Sequence, residues 1–137
     1  MLNRHPLVRV WDKLRKDERL VTLMNEVRKS QTEQPLIYTL QIPEDYRKTE
    51  NAPFMRLTQI MKGNALNHDG GSSHYRFLFA VETFGRTIND VYQINQRVVE
   101  IIESINGVCI DSELQKDEKF NLYHEMLSFN IILTKKE

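Results

Sequence analysis

Cysteine is almost absent from this chain of 137 residues: Cys109 is the single one, so no intrachain disulfide is possible and a reducing compartment fits. Charge of one sign is also lacking in excess. Lys plus Arg and Asp plus Glu each total 19, for a formal net charge of zero. That balance gives no overall attraction to nucleic acid or to an anionic membrane. It also leaves little repulsion between copies of the chain. No long apolar run occurs, and the opening MLNRHPLVRVWDKLRK breaks its apolar residues with charge too early for a secretion signal or a bilayer span. The expectation is a chain made in the cytosol that stays there until it joins something.

What is present is enough for one domain over residues 1–137. Hydrophobic residues make up 40% and charged residues 28%, sufficient to bury a core without staples. Leu7, Val10, Trp11, Leu14, Val21, Met24 and Val27 recur at helical spacing over about residues 6–29. They predict one amphipathic helix, or two broken near Lys16–Asp17, with Pro6 in the first turn. Sheet and helix follow over 35–134. PLIYTLQIP alternates Leu36, Tyr38, Leu40 and Ile42 with Ile37, Thr39 and Gln41, a strand between Pro35 and Pro43. EDYRKTENA is a polar crossover. PFMRLTQIM is extended, with Met55, Leu57 and Met61 on one face.

KGNALNHDGGSS reads as a long loop rather than a tight hairpin turn. Beyond it Tyr75, Phe77, Phe79, Val81 and Thr83 alternate as a strand that should pair with the one before the loop. Thr87 stands at an N-cap position with Asp90 three residues on. Ile88, Val91, Tyr92, Val98, Val99, Ile102 and Ile105 predict the apolar face of the helix that follows, and Asn106–Gly107 its stop, with glycine taking the left-handed conformation. VCIDSEL and NLYHEMLSFNIILT then form a hairpin around QKDEK. Glu125 shares the parity of Leu127, Phe129 and Ile131, so it is either wet or paired with a cation, for which Arg76 is the candidate. The order gives an α+β fold with a mainly antiparallel sheet and helices on one face.

The chain is poor in recognisable chemistry. Cys109 with one of His5, His68, His74 or His124 could form a thiol–imidazole pair, but a small strand residue is the simpler reading of Cys109. His68, Asp69 and His74 bracket the glycine loop without a standard zinc spacing. Gly70–Gly71–Ser72–Ser73 lacks the lysine and helix of a phosphate loop. The carboxylate pairs Glu44–Asp45 and Asp117–Glu118 fall in polar turns, where proton affinities are seldom driven apart. Tyr75, Phe77 and Phe79 beside Arg76 lack the signature of an aromatic RNA-binding sheet.

From about Leu36 to Leu133 the chain resembles the tail-terminator, or tail-completion, proteins of siphophages and prophages of Gram-positive bacteria. The resemblance rests on IYTLQIPED, FMRLTQI, FLFAVETFG, the helix NDVYQINQRVVEIIESI, VCIDSEL and SFNIIL, in that order. It implies a structural, non-enzymatic subunit with no cofactor and no metal. It further implies a homo-oligomeric ring, typically six subunits, at the head-proximal end of the virion tail. Such a ring caps the tail tube, ends its polymerisation and contributes to head–tail joining. The implied partners are the tail-tube protein and a head-completion or connector protein, with no membrane and no specific nucleic acid. Candidate interface residues are Arg47 and Lys48 in the crossover and Lys62, Asn64, Asn67, His68, Asp69 and His74 in and around the long loop. Two alternatives stay open: a head-closure or adaptor protein of the phage neck, or a small α+β ligand-binding domain or enzyme. Clustering of His74, His124 and Cys109 in a cleft would favour the last.

Overall fold

The computed structural model describes residues 4–65 and 73–136. Two helices open the chain, α1 (Pro6–Arg15) and α2 (Glu18–Arg28), separated where the sequence breaks its apolar stripe. Asp17 makes the break: its carboxylate caps α2 by accepting the Leu20 amide at 2.9 Å. Apolar burial shifts by one position across it, since Leu20 is buried where Val21 is only half-buried.

Five strands form one sheet in the order β1-β2-β3-β5-β4. These are β1 (Ile37–Thr39), β2 (Phe54–Asn64), β3 (His74–Gly85), β4 (Val108–Asp117) and β5 (Leu122–Thr134). β1 runs parallel to β2, and every other pairing is antiparallel. The fold is the expected α+β one.

α3 (Ile88–Ser104) begins at the Thr87 cap, whose hydroxyl accepts the Asp90 amide at 3.0 Å. The main core lies between the helices and one sheet face. Leu7, Val10, Leu14 and Met24 meet Ile94, Val98 and Ile102 over Leu57, Phe79, Val81, Leu127 and Phe129. Phe77, Phe79 and Phe129 stack at 5.3 Å between ring centres, each step crossing or following a strand. A smaller cluster of Leu36, Ile42, Ala52, Phe54, Phe84 and Leu122 sits under the crossover.

Several sequence expectations need correction. The strand expected over 35–43 is three residues long, because Leu40 adopts a left-handed conformation at φ 67°. The strands beside the long loop extend further, so Lys62, Gly63 and Asn64 lie in β2 and pair with Phe77, Arg76 and Tyr75. Met61 is exposed rather than sharing the face of Met55 and Leu57, since the register slips between Gln59 and Met61. Ile88 and Tyr92 are also exposed; Ile94, Asn95 and Ile101 occupy the buried face of α3 instead.

At the end of α3 it is Asn106, not Gly107, that takes positive φ, at 69°. Gly107 is needed for a different reason. A Cβ there would lie 2.3 Å from the Ile102 side chain and 3.1 Å from its carbonyl oxygen.

Candidate subunit and tube interface

The five described candidate interface residues, Arg47, Lys48, Lys62, Asn64 and His74, do not form one patch. Arg47 and Lys48 belong to the crossover, which makes two short 3₁₀ turns, Glu44–Tyr46 and Thr49–Asn51. Arg47 is half-buried, with its guanidinium 5.2 Å from the centre of the Phe120 ring in the β4–β5 turn. The Thr49 hydroxyl donates to the Phe120 carbonyl at 2.5 Å, and Arg86 donates to the Thr49 and Glu50 carbonyls. The crossover is thereby tied to the β4–β5 turn, and Lys48 projects from it into solvent.

Lys62, Asn64 and His74 lie at the other end of β2 and β3. Asn64 is ten steps along β2 from Phe54, which at about 3.3 Å per residue is roughly 30 Å along the sheet. The Lys62 ammonium lies 4.7 Å from the centre of the Tyr75 ring. The His74 carbonyl accepts the Ala65 amide, and its Nδ1 is 2.8 Å from the Ser73 hydroxyl. Asn67, His68 and Asp69 fall outside the described residues, so the metal reading of His68, Asp69 and His74 does too. Among the described residues no group of three or more His, Cys, Asp or Glu side chains is placed to hold a metal ion.

The thiol–imidazole pair is not assembled among the described candidates. Cys109 sits opposite Phe129 on the edge strand, His74 opposite Thr134, and His124 opposite Phe84 near the far end of β3. Burial pushes the Cys109 thiol up from its ordinary value, the reverse of what a nucleophile needs. His5 is occupied as the cap of α1, its Nδ1 accepting the Leu7 amide at 3.0 Å.

Two polar networks were not legible from local sequence. Glu82, buried on the sheet face away from the helices, pairs with Arg56 and lies 3.6 Å from the His124 imidazole, which stacks on Phe84 at 4.4 Å. Burial alone would raise the Glu82 carboxyl, but the adjoining His124 imidazole and Arg56 guanidinium outweigh it and hold the group below the usual range. On the helix side, Glu125 accepts from Asn95 Nδ2 at 2.8 Å, and Asn95 accepts from the Thr83 hydroxyl at 2.7 Å. Asn95, rather than the expected Arg76, answers the parity conflict at Glu125; Arg76 faces solvent opposite Ile132.

A groove of about 470 Å³ between α2 and α3 is lined by Glu18, Arg19, Gln93, Gln96, Arg97 and Glu100 among others. Its charges are partly spent on each other: Arg97 bonds Asp17 and reaches Glu100. No helix among the described residues is long and apolar enough to cross a membrane.

The fold has a counterpart in a virion. The chain is similar to a polypeptide in the structure titled "Virion of native gene transfer agent (GTA) particle", with a TM-score of 0.60 at 12% identity. The likeness covers 96% of this chain and 99% of that one, so it runs end to end. At that identity it is a likeness of fold. No protein-family model and no curated protein matches the sequence.

Proposed function

We propose that this chain is a structural subunit of a phage-like virion, and within that class a tail terminator. The observation that carries the reading is the end-to-end fold likeness to a virion polypeptide. A likeness confined to the sheet would fit many α+β domains. One that includes both N-terminal helices and the closing hairpin is more demanding.

In this reading copies of the chain form a ring, typically of six, at the head-proximal end of the tail. The ring caps the tail tube, ends its polymerisation and offers its other side to a head-completion or connector protein. The split of the candidate residues suits such a part. Arg47 and Lys48 lie at one end of the sheet and Lys62, Asn64 and His74 at the other, so one subunit can present a separate surface to each neighbour along the tail axis. The function is one of assembly, without substrate or cofactor.

Immunogold labelling of the assembled particle tests the reading. Label at the junction of head and tail is the expected result. Label along the tube wall, or at the distal tip, overturns it. Label that persists on heads lacking tails favours a neck adaptor instead.

A further inference from the structure

The two sides of the sheet both end in an exposed, apolar, bulged strand edge. On one side β1 covers only Met55–Leu57, so β2 from Thr58 to Asn64 has no strand on its outer side among the described residues. The register slip there leaves Ile60 as the extra residue, 52% exposed, next to exposed Met61. Beside it His5, Leu7, Val8, Thr39, Leu40 and Gln59 line an apolar hollow of about 390 Å³. On the other side β4 pairs with β5 alone among the described residues. A second slip, between Cys109 and Asp111, leaves Ile110 as the extra residue, 53% exposed, with Val108 two positions before it also exposed.

Leu40 is the sharpest sign that the first edge is built for contact. It is 59% exposed and stands at φ 67°, a conformation that costs a leucine backbone strain. Its apolar side chain and its backbone are therefore both unfavourable in the isolated subunit. The bulges disfavour simple strand-on-strand addition, which would propagate into aggregates. Edges protected in this way but left apolar suit side-chain docking. Their charges are complementary: Lys62 is the one charged residue from Thr58 to Asn64, whereas Asp111 and Glu113 are the charged residues from Val108 to Gln115.

We propose that the β4 edge of one copy docks against the β2 edge and the Leu40 hollow of the next. The two patches lie at opposite ends of the strand order, so the contact is heterologous and repeats around a closed ring. The inference rests on the ring reading above and assigns its subunit contact.

The test uses the full chain and two variants, Ile60→Glu and Ile110→Glu, with mass measured by light scattering across a concentration series. Far-UV circular dichroism and thermal melts check that each is folded. The native chain should associate, and each variant alone should be monomeric. An equimolar mixture should give a dimer that grows no further, because Ile60→Glu retains an intact β4 edge and Ile110→Glu an intact β2 edge. A mixture that stays monomeric, or loss of assembly in one variant alone, overturns the head-to-tail contact. Native-like assembly by both variants overturns the edge assignment and leaves the ring reading standing. A native chain that is monomeric at every concentration overturns the contact as an autonomous interface, while tube capping continues to judge the function. Should either charge unfold the subunit, Leu40→Gly carries the test. It should raise the melting temperature and weaken assembly, and unchanged assembly overturns the proposal.

Discussion

Arg97 of α3 grips Asp17 with two parallel bonds, Nε to Oδ2 at 2.9 Å and the terminal nitrogen to Oδ1 at 2.7 Å. The same carboxylate caps α2, so one aspartate locks the junction of the first two helices to the third. Asp17→Asn keeps a capping oxygen but loses the charge. It should cost about 1–2 kcal/mol in urea unfolding, since charge-assisted bonds between part-buried groups exceed ordinary surface pairs. Asp17→Ala should cost about 1 kcal/mol more through the lost cap. A double-mutant cycle with Arg97→Ala isolates the pair, and additive losses would show that the two side chains are not coupled.

Acid should weaken this fold through the same region. Arg97 holds the Asp17 carboxyl below its ordinary value. Lys16, with further help from Arg4 and Arg15, holds Asp12 down from 3.8 to about 2. A carboxyl whose folded value is depressed contributes stability that is fully present above its unfolded value and lost as pH falls through the folded one. Stability should therefore drop as pH falls from 3.8 toward about 2. Asp12→Asn should flatten that slope, lowering the neutral-pH midpoint while leaving the acid one little changed. An unchanged slope would show that Asp12 is not held down.

Thr83, fully buried, donates to Asn95, which donates in turn to Glu125. Thr83→Val removes the donor and leaves the Asn95 oxygen buried without one. The expected loss is about 1–3 kcal/mol in denaturant unfolding. Glu125→Gln should cost less, about 1 kcal/mol or under, because an amide oxygen still accepts from Asn95. The reverse ranking would place the weight of the network on the charge.

Arg28 is buried with no carboxylate paired to it among the described residues; its guanidinium donates to the Asn51 carbonyl at 3.1 Å, the Pro53 carbonyl at 2.5 Å and Asn25 Oδ1 at 2.9 Å. Burial lowers its proton affinity, and the fork pins the crossover to α2. A lysine cannot reproduce three divergent donors on a plane. Arg28→Lys should cost about 1–3 kcal/mol and speed proteolysis within 44–51. Equal cleavage rates in the two proteins would free the crossover from this anchor.

Where the sequence signalled the fold, the signal was local. The Thr87 cap, the break at Asp17 and the alternation of Phe77, Phe79 and Val81 each depend on neighbours within a few residues. What stayed hidden depends on distant partners or on a single dihedral. The left-handed turn at Leu40 ends β1 where alternation would continue it, and leucine gives no hint of positive φ. The slips at Ile60 and Ile110 turn apolar residues outward without changing the pattern of types. Asn95 is a polar residue on the buried face of α3, and only the fold brings it to Thr83 and Glu125. The candidate interface was legible as charged and turn-forming residues, but not its division between two ends of the sheet. The exposed apolar edges were missed, because an isoleucine in a strand reads as core until its register is known.

The most direct measurement is the length distribution of tail tubes growing from purified tail-tube protein, imaged by negative stain with and without this chain added. The account expects growth to stop on addition, with a ring-shaped density at one tube end and none along the walls. Tubes that keep growing at the same rate, with no added density at either end, would contradict it.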